Sequence, residues 1–409
     1  MSRRPGTPSL LRQLNDRAAL ELLLASGPMT RTQVGAATGL SKVTAAQLLT
    51  RLQERNLVHV VGARAGSRGP NAALYAVVPS SAYVAALDVG PTEVTTSGPG
   101  QVTAAIADIT GEVVTERRVD LAGAENPVAV VHTAVMRLVE GASIPLDRLL
   151  SFAIATPGVV DPRTGDLRFS FNLPSWHEGI LERLRADLNR SVFIENDVNL
   201  AAYAERSEGV ARNSEDFVLI WIAGGVGMAI TLGGRLHRGH SGGAGEIGWL
   251  PIPGAPMPED VGLPDGYRTH REPGSAETLR FGLQSLIGHP AVLDLARDHG
   301  LDASSVENAV AAAQGDPENG DAFLNEIARR IARAVTSVSV ILDPGLVVLG
   351  GDLSHAGGDD LAHRVRREAG RLGLNTPDVR ISEVHGNPAL RGALLAALDT
   401  AREDLFADG

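Results

Sequence analysis

Apolar positions change their spacing near residue 79, and that change divides the chain. Before it, short clusters recur at helical period. Leu20, Leu22, Leu23 and Leu24 predict a first helix that begins near Asn15 or Asp16, either one its cap, and stops at Ser26-Gly27-Pro28. Thr30 then caps a short second helix with Val34, Ala36 and Ala37 turned inward. Thr38-Gly39-Leu40 forms the corner, since glycine tolerates the left-handed backbone of a tight helix–helix turn. Ser41 caps a third helix running to about Arg55, in which Val43, Ala46, Leu49 and Leu52 recur at helical spacing. Residues 57–61 and 73–78 read as two strands around a loop at 62–70 rich in Gly and Arg, which is a hairpin.

After Pro79 the pattern becomes strand–turn–strand and then strand–helix. Buried strands are expected at 83–89, 102–109, 149–155, 191–194, 217–222 and 346–349, with Thr110-Gly111-Glu112 as a hairpin turn. Helical stretches fall at 127–140, 199–208 and 322–339. Strands alternating with helices imply an α/β fold with helices packed on a largely buried sheet. At 409 residues, two or three domains are expected.

Three helices with a glycine corner between the second and third, followed by a hairpin, make a winged helix-turn-helix. The third helix is the one that enters the major groove, with Ser41, Lys42, Thr44, Ala45 and Gln47 near the bases. Arg31 belongs to the same surface, and Arg64 and Arg68 at the hairpin suit phosphate or narrow minor-groove contact. Charge supports this division. Residues 1–79 hold ten Lys+Arg and three Asp+Glu, a net of +7, whereas the rest holds 27 against 45, a net of −18. A basic head on an acidic body fits double-stranded DNA as the head's partner. The alternative for these residues is a helical protein-interaction module.

The remaining composition narrows the setting. With 44% hydrophobic and 21% charged residues the chain is globular in character. Apolar runs are too short and too often broken to cross a membrane, and the basic N-terminus lacks a signal peptide's apolar stretch, so a cytoplasmic location is expected. With no cysteine, disulfides and thiolate-bound metal are ruled out. No metal or cofactor is expected.

Four loops at strand ends carry candidate chemistry. Asp88-Val89-Gly90-Pro91-Thr92 sets a carboxylate after a strand. Glu195-Asn196-Asp197-Val198-Asn199 groups polar side chains just before a helix. Ala223-Gly224-Gly225-Val226-Gly227 offers backbone N–H groups to an anion, and Leu349-Gly350-Gly351 ends another strand.

Taken together, the chain from about Leu10 to Ala401 resembles the ROK family (repressor, open reading frame, kinase), in its winged-helix regulator branch. The most specific stretches are 39–44, 194–199, and Gly233-Gly234-Arg235-Leu236 through Gly243-Ala244-Gly245-Glu246-Ile247-Gly248. The resemblance implies an actin-like, ribonuclease H-like body of sugar-kinase type, two-lobed, with a sugar cleft between the lobes. It divides the chain into a DNA-binding head at 1–79, a first lobe at 80–200 completed by a C-terminal helix at 387–409, and a second lobe at 201–386 that dimerises. It also implies a homodimer or dimer of dimers whose DNA binding is controlled by a sugar or sugar phosphate. Asp197 matches the general base of family kinases and Asn196 its sugar-binding neighbour, while Glu246 and Glu277 resemble further sugar-hydroxyl ligands. Carboxylates and amides suit sugars because each holds paired hydroxyls.

Departures from the family pattern favour a regulator over a kinase. The family's zinc site has a His after Gly-Glu-Ile-Gly and then a cysteine cluster. Here Trp249 takes the His position and a Pro/Gly-rich segment at 251–273 replaces the cluster, leaving His240 and His270 as ordinary polar residues. The phosphate loop has lost its hydroxyl, and Met228 is expected to add bulk against a phosphate. Asp88, Gly90, Thr92, Gly225, Gly227, Gly350 and Gly351 then read as vestiges of nucleotide loops. A sugar kinase and a ligand-independent DNA-binding dimer remain the alternatives. In the regulator reading, lobe closure moves the linker near residues 79–83.

Overall fold

Thr30 sets the geometry of the head in the computed structural model, which describes residues 8–65, 71–89, 101–120, 127–169, 179–262, 280–373 and 375–407. It ends a two-residue strand β1 (Met29–Thr30) and caps α2 (Arg31–Thr38) through a reciprocal box with Gln33, whose N–H reaches the Thr30 hydroxyl at 3.3 Å. Gly39, at φ 71°, ends α2 in the left-handed conformation. Ser41 accepts the Thr44 N–H at 3.2 Å and so starts α3 (Lys42–Glu54). The strands β2 (Val58–Arg64) and β3 (Ala72–Val77) make the hairpin, and β1 extends its sheet on the β3 edge.

Several inward assignments fail here. The first helix, α1, spans Pro8–Ser26, so neither Asn15 nor Asp16 is its cap; the Asp16 carboxylate meets Arg51 of α3 at 2.5 Å. Val34 is buried with Gly35, but Ala36 and Ala37 are exposed. In α3 the buried stripe is Ala45, Leu48, Leu49 and Leu52, which turns Val43 outward and removes Ala45 from the base-reading surface. Alanine leaves helical phase ambiguous because it is tolerated on either face.

The body is one pattern used twice. Its first half runs β4 (Tyr83–Val89), β5 (Gln101–Asp108), β6 (Val113–Asp120), α4 (Pro127–Ala142), β7 (Leu149–Thr156), a small hairpin β8 (Val159–Val160) and β9 (Leu167–Phe169), α5 (Ile180–Leu188), β10 (Ser191–Asn196) and α6 (Asp197–Glu208). The second runs β11 (Phe217–Ile222), β12 (Val226–Leu232), β13 (Arg235–Leu236), α7 (Gln284–Ile287), α8 (His289–Asp298), α9 (Val306–Gly315), α10 (Pro317–Leu342), β14 (Leu346–Gly350), α11 (Asp352–Leu372), β15 (Asp378–Ile381) and α12 (Pro388–Ala407). Their sheets order as β6-β5-β4-β7-β10 and β13-β12-β11-β14-β15, each an antiparallel meander continued by two parallel strands. This is the α/β fold expected from the alternating pattern, in the two-lobed actin-like form that the family resemblance implied.

The closing helices are exchanged between the halves. Helix α6 ends the first half yet shares an apolar cluster with the second sheet, where Val198, Ala201 and Ala202 meet Phe217, Leu219 and Val348. Helix α12 ends the second half yet packs on β4, β5 and β7 of the first sheet. One further cluster runs from Leu20, Leu23, Leu48 and Leu52 in the head, through Ala82 and Val84, to Leu394, Leu398 and Ala401 of α12. The core of the head is therefore continuous with that of the first half of the body. The linker at 79–83 is pinned as well: Pro79 accepts the Ile109 N–H at 3.4 Å, and Ser80 accepts Arg148 Nη1 at 2.6 Å. Those bonds weigh against a freely swinging linker.

Candidate functional site

The exchange of α6 and α12 brings the ends of β4, β10 and β12 to one place. Asp197 opens α6, and its Oδ1 accepts the Val198 N–H at 2.8 Å. Burial, then the neighbouring charges of Asp88 and Glu246, push its carboxyl up from the ordinary aspartate range to about 7. Asp88, one residue before the end of β4, is also raised by burial, opposed by a 2.6 Å hydrogen bond from Asn387 Nδ2. Burial likewise raises Glu246, with no hydrogen bond or opposite charge among the described residues to offset it. Three carboxylates that resist ionisation together form a site that gains from hydroxyl donors.

Backbone packing places each of them. Gly245, at φ 100°, lies so close to the Met228 carbonyl that a Cβ would collide with it; this fixes the turn carrying Glu246. Asn196 is less free than its sequence position implies. Its oxygen accepts the Asn199 N–H at 3.0 Å to cap α6, and its amide donates to Gly158 O at 3.0 Å. Beside it, the buried Glu195 accepts the Asn196 N–H and Asn199 Nδ2 at 2.9 Å, and holds Arg238 from the second half at 2.6 Å. Glu195 stood in one of the candidate loops, but Arg238 and Asn387 were not singled out from the sequence, since their carboxylate partners lie 43 and 299 residues away.

Glu277, Gly90, Thr92 and Arg68 lie outside the described residues. At the expected zinc-ligand position, Trp249 packs edge-on against Phe281, centroids 5.1 Å apart. His240 is exposed, and no group of three or more potential metal ligands occurs among the described residues.

Most glycines of the nucleotide loops have packing roles. A Cβ on Gly350 would lie 2.8 Å from the Trp221 ring, one on Gly351 would strike the Ile222 carbonyl, and one on Gly227 would press Val198 at 3.2 Å. Gly225 alone of these four faces open space. Met228 points into the core of the second half and does not crowd a phosphate. Where Gly350-Gly351 leads into α11, Asp352 sets a carboxylate 3.7 Å from His289, whose basicity burial lowers. Gln284 ties down the 223–226 turn by accepting the Val226 N–H at 2.7 Å and donating to Gly224 O at 2.8 Å.

On the head, Lys42, Val43 and Gln47 project from the first turns of α3, with Val43 68% exposed. Ser41 and Thr44 are partly spent on each other, their hydroxyls 2.9 Å apart. Arg31 and Arg64 are exposed on the same domain.

A winged helix-turn-helix joined to a doubled α/β body with a cluster of three carboxylates defines the class of this protein. Residues 94–399 match the ROK family, and the chain belongs to it. The N-acetylglucosamine repressor of Escherichia coli O157:H7 is 22% identical over 358 residues, covering 86% of this chain and 83% of the repressor. A glucokinase of Streptomyces coelicolor is 26% identical over 323 residues, 75% of this chain and 96% of the enzyme. Among solved structures, a ROK family transcriptional regulator described as a homologue of the E. coli MLC protein superposes with a TM-score of 0.72 at 21% identity, covering 98% of this chain and all of that one. No helix among the described residues is long and apolar enough to cross a membrane.

Proposed function

We propose that the chain is a sugar-responsive, DNA-binding transcriptional regulator of repressor type, acting as a homodimer or dimer of dimers on a double-stranded operator. Its working units are the head at 1–79, a first lobe at 80–200 with the helix at 387–409, and a second lobe at 201–386. The observation that carries this reading is the coexistence in one chain of an outward-facing recognition helix and a buried cluster of three carboxylates suited to hydroxyl donors. In the cleft, Asp197 and Glu246 accept sugar hydroxyls, Asn196 contributes its spare amide hydrogen, and Glu277 is a further candidate. On the head, Lys42, Arg31 and Arg64, with Ser41 and Thr44, hold phosphates, Gln47 reads a base edge, and Arg68 is a further candidate for phosphate contact.

Catalysis is the weaker reading. Asp88 and Asp197 would serve phosphoryl transfer, as in the family's glucokinases. The Asp352 carboxylate, however, sits at the helix start where a phosphate would need positive potential, and phosphoryl transfer depends on such charge placement.

Fluorescence anisotropy tests the proposal. A duplex selected from a random library by the full chain is titrated with and without xylose, glucose, N-acetylglucosamine and their phosphates. Sugar-shifted binding is expected, with Asp197→Asn and Glu246→Gln keeping DNA affinity and losing the shift. Failure to select any duplex, together with sugar phosphorylation from ATP, would replace the regulator with a kinase. DNA binding that no sugar shifts would leave a ligand-independent dimer.

A further inference from the structure

The two halves of the body end on matching turns. Asn196 caps α6 by accepting the N–H three residues on, and Asn387 caps α12 in the same way, with the Leu390 N–H at 2.9 Å. Because the two helices are exchanged, both caps arrive at the same carboxylates. The second hydrogen-bonding arm differs between them: Asn196 donates to Gly158 O, whereas Asn387 donates to Asp88 Oδ2 at 2.6 Å.

From that cap α12 runs 20 residues, about 30 Å, to the head. There the Leu405 carbonyl accepts Arg55 Nη2 at 2.9 Å, and Arg55 is the residue that closes the recognition helix α3. Between its ends the helix is held along one stripe, Leu390, Ala393, Leu394, Ala397, Leu398 and Ala401, all buried. Gly392 allows the crossing with α6, since a Cβ there would collide with the Leu200 carbonyl. Arg402 donates to Ile109 O at 2.9 Å, next to the bond that pins the linker. A helix gripped along its length transmits displacement and does not absorb it.

We propose that Asn387 is a positioning residue of the effector cleft, and that α12 carries the state of the cleft to the recognition helix through the Arg55–Leu405 bond. The inference rests on the sugar-responsive reading above. A sugar hydroxyl donated to Asp88 competes with Asn387 for the same oxygen. When Asn387 yields, the start of α12 shifts against α6, and the shift reappears at Arg55 as a change in the tilt of α3. The sugar acts on DNA only by its differential affinity for the two placements of α12.

The test uses the full chain, the selected duplex and the three free sugars named above. Operator affinity without sugar, sugar affinity without DNA, and operator affinity with saturating sugar are measured for wild type, Asn387→Asp and Arg55→Gln. Asn387→Asp keeps a capping oxygen for Leu390 but loses the donor to Asp88; Arg55→Gln cuts the far end and leaves the cleft intact. The ratio of operator affinities without and with sugar, about 5–150-fold for typical coupled sites, is expected to fall towards one in both. Arg55→Gln is expected to retain wild-type sugar affinity. Full sugar response in Arg55→Gln, or in a folded Asn387→Asp, would overturn the inference and leave the regulator standing. A wild-type chain that binds the duplex but no sugar, or neither, would overturn both.

Discussion

A single carboxylate shows how the site depends on proton balance. Asp197 is held at about 7, whereas the unfolded chain releases its proton near the ordinary aspartate value of about 3.9. Between those two pH values the folded chain holds a proton that the unfolded chain has lost, so this group makes stability fall as pH rises through the window. Asp197→Asn should therefore gain stability relative to wild type at pH 8 but not at pH 4, as measured by urea denaturation. Sugar affinity should follow the opposite course in wild type, rising from pH 6 to pH 8 as the carboxylate becomes an acceptor, and should be flat in the variant. Glu205 tests a different residue property. Fully buried, it accepts Ser382 Oγ at 2.5 Å and the Val384 and Val210 N–H groups at 3.0 Å. Glu205→Ala would leave those donors unmatched, with an expected loss of about 3 kcal/mol or more in denaturant midpoints analysed at constant m-value.

At the level of elements, what was legible in the sequence was local. The Thr30 cap, the Ser41 cap and the glycine corner all depend on residues within four positions of one another, the strand 217–222 on one short apolar run, and each is found. What was not legible depended on distance or on residues without a preferred side. Ala36, Ala37 and Ala45 carry too little apolar surface to fix helical phase. Met29–Thr30 became a strand only because β3 lies beside it. Asp16 reads as a cap until α3 supplies Arg51. The exchange of α6 and α12 rests on Gly392, a small residue in the second turn of α12. Gly392→Ala would push the two helices apart, with an expected loss of roughly 1–3 kcal/mol despite alanine's better helix propensity. A thermal shift upward instead would mean the crossing is looser than described. In the cleft, Asp197 and Glu246 were visible as motif residues, but their neighbour Asn387 was hidden by a separation of 299 residues from Asp88.

On the scale of the whole molecule, the head and the body share one apolar cluster, to which α12 contributes. This bears on how such proteins diversify. Regulators assembled from a reader and a sensor are expected to evolve by shuffling, each module carrying its own stability. Here a transplanted reader would arrive with its share of that cluster set against a foreign helix, and with Arg55 facing a carbonyl in the wrong place. Grafting residues 1–79 onto another family member's body should yield a chimera prone to aggregation and deaf to sugar, whereas grafting the head together with its own α12 should restore solubility. In this architecture the unit of inheritance is the reader plus the far end of the chain, so the operator preference of a lineage and its last helix are expected to change together.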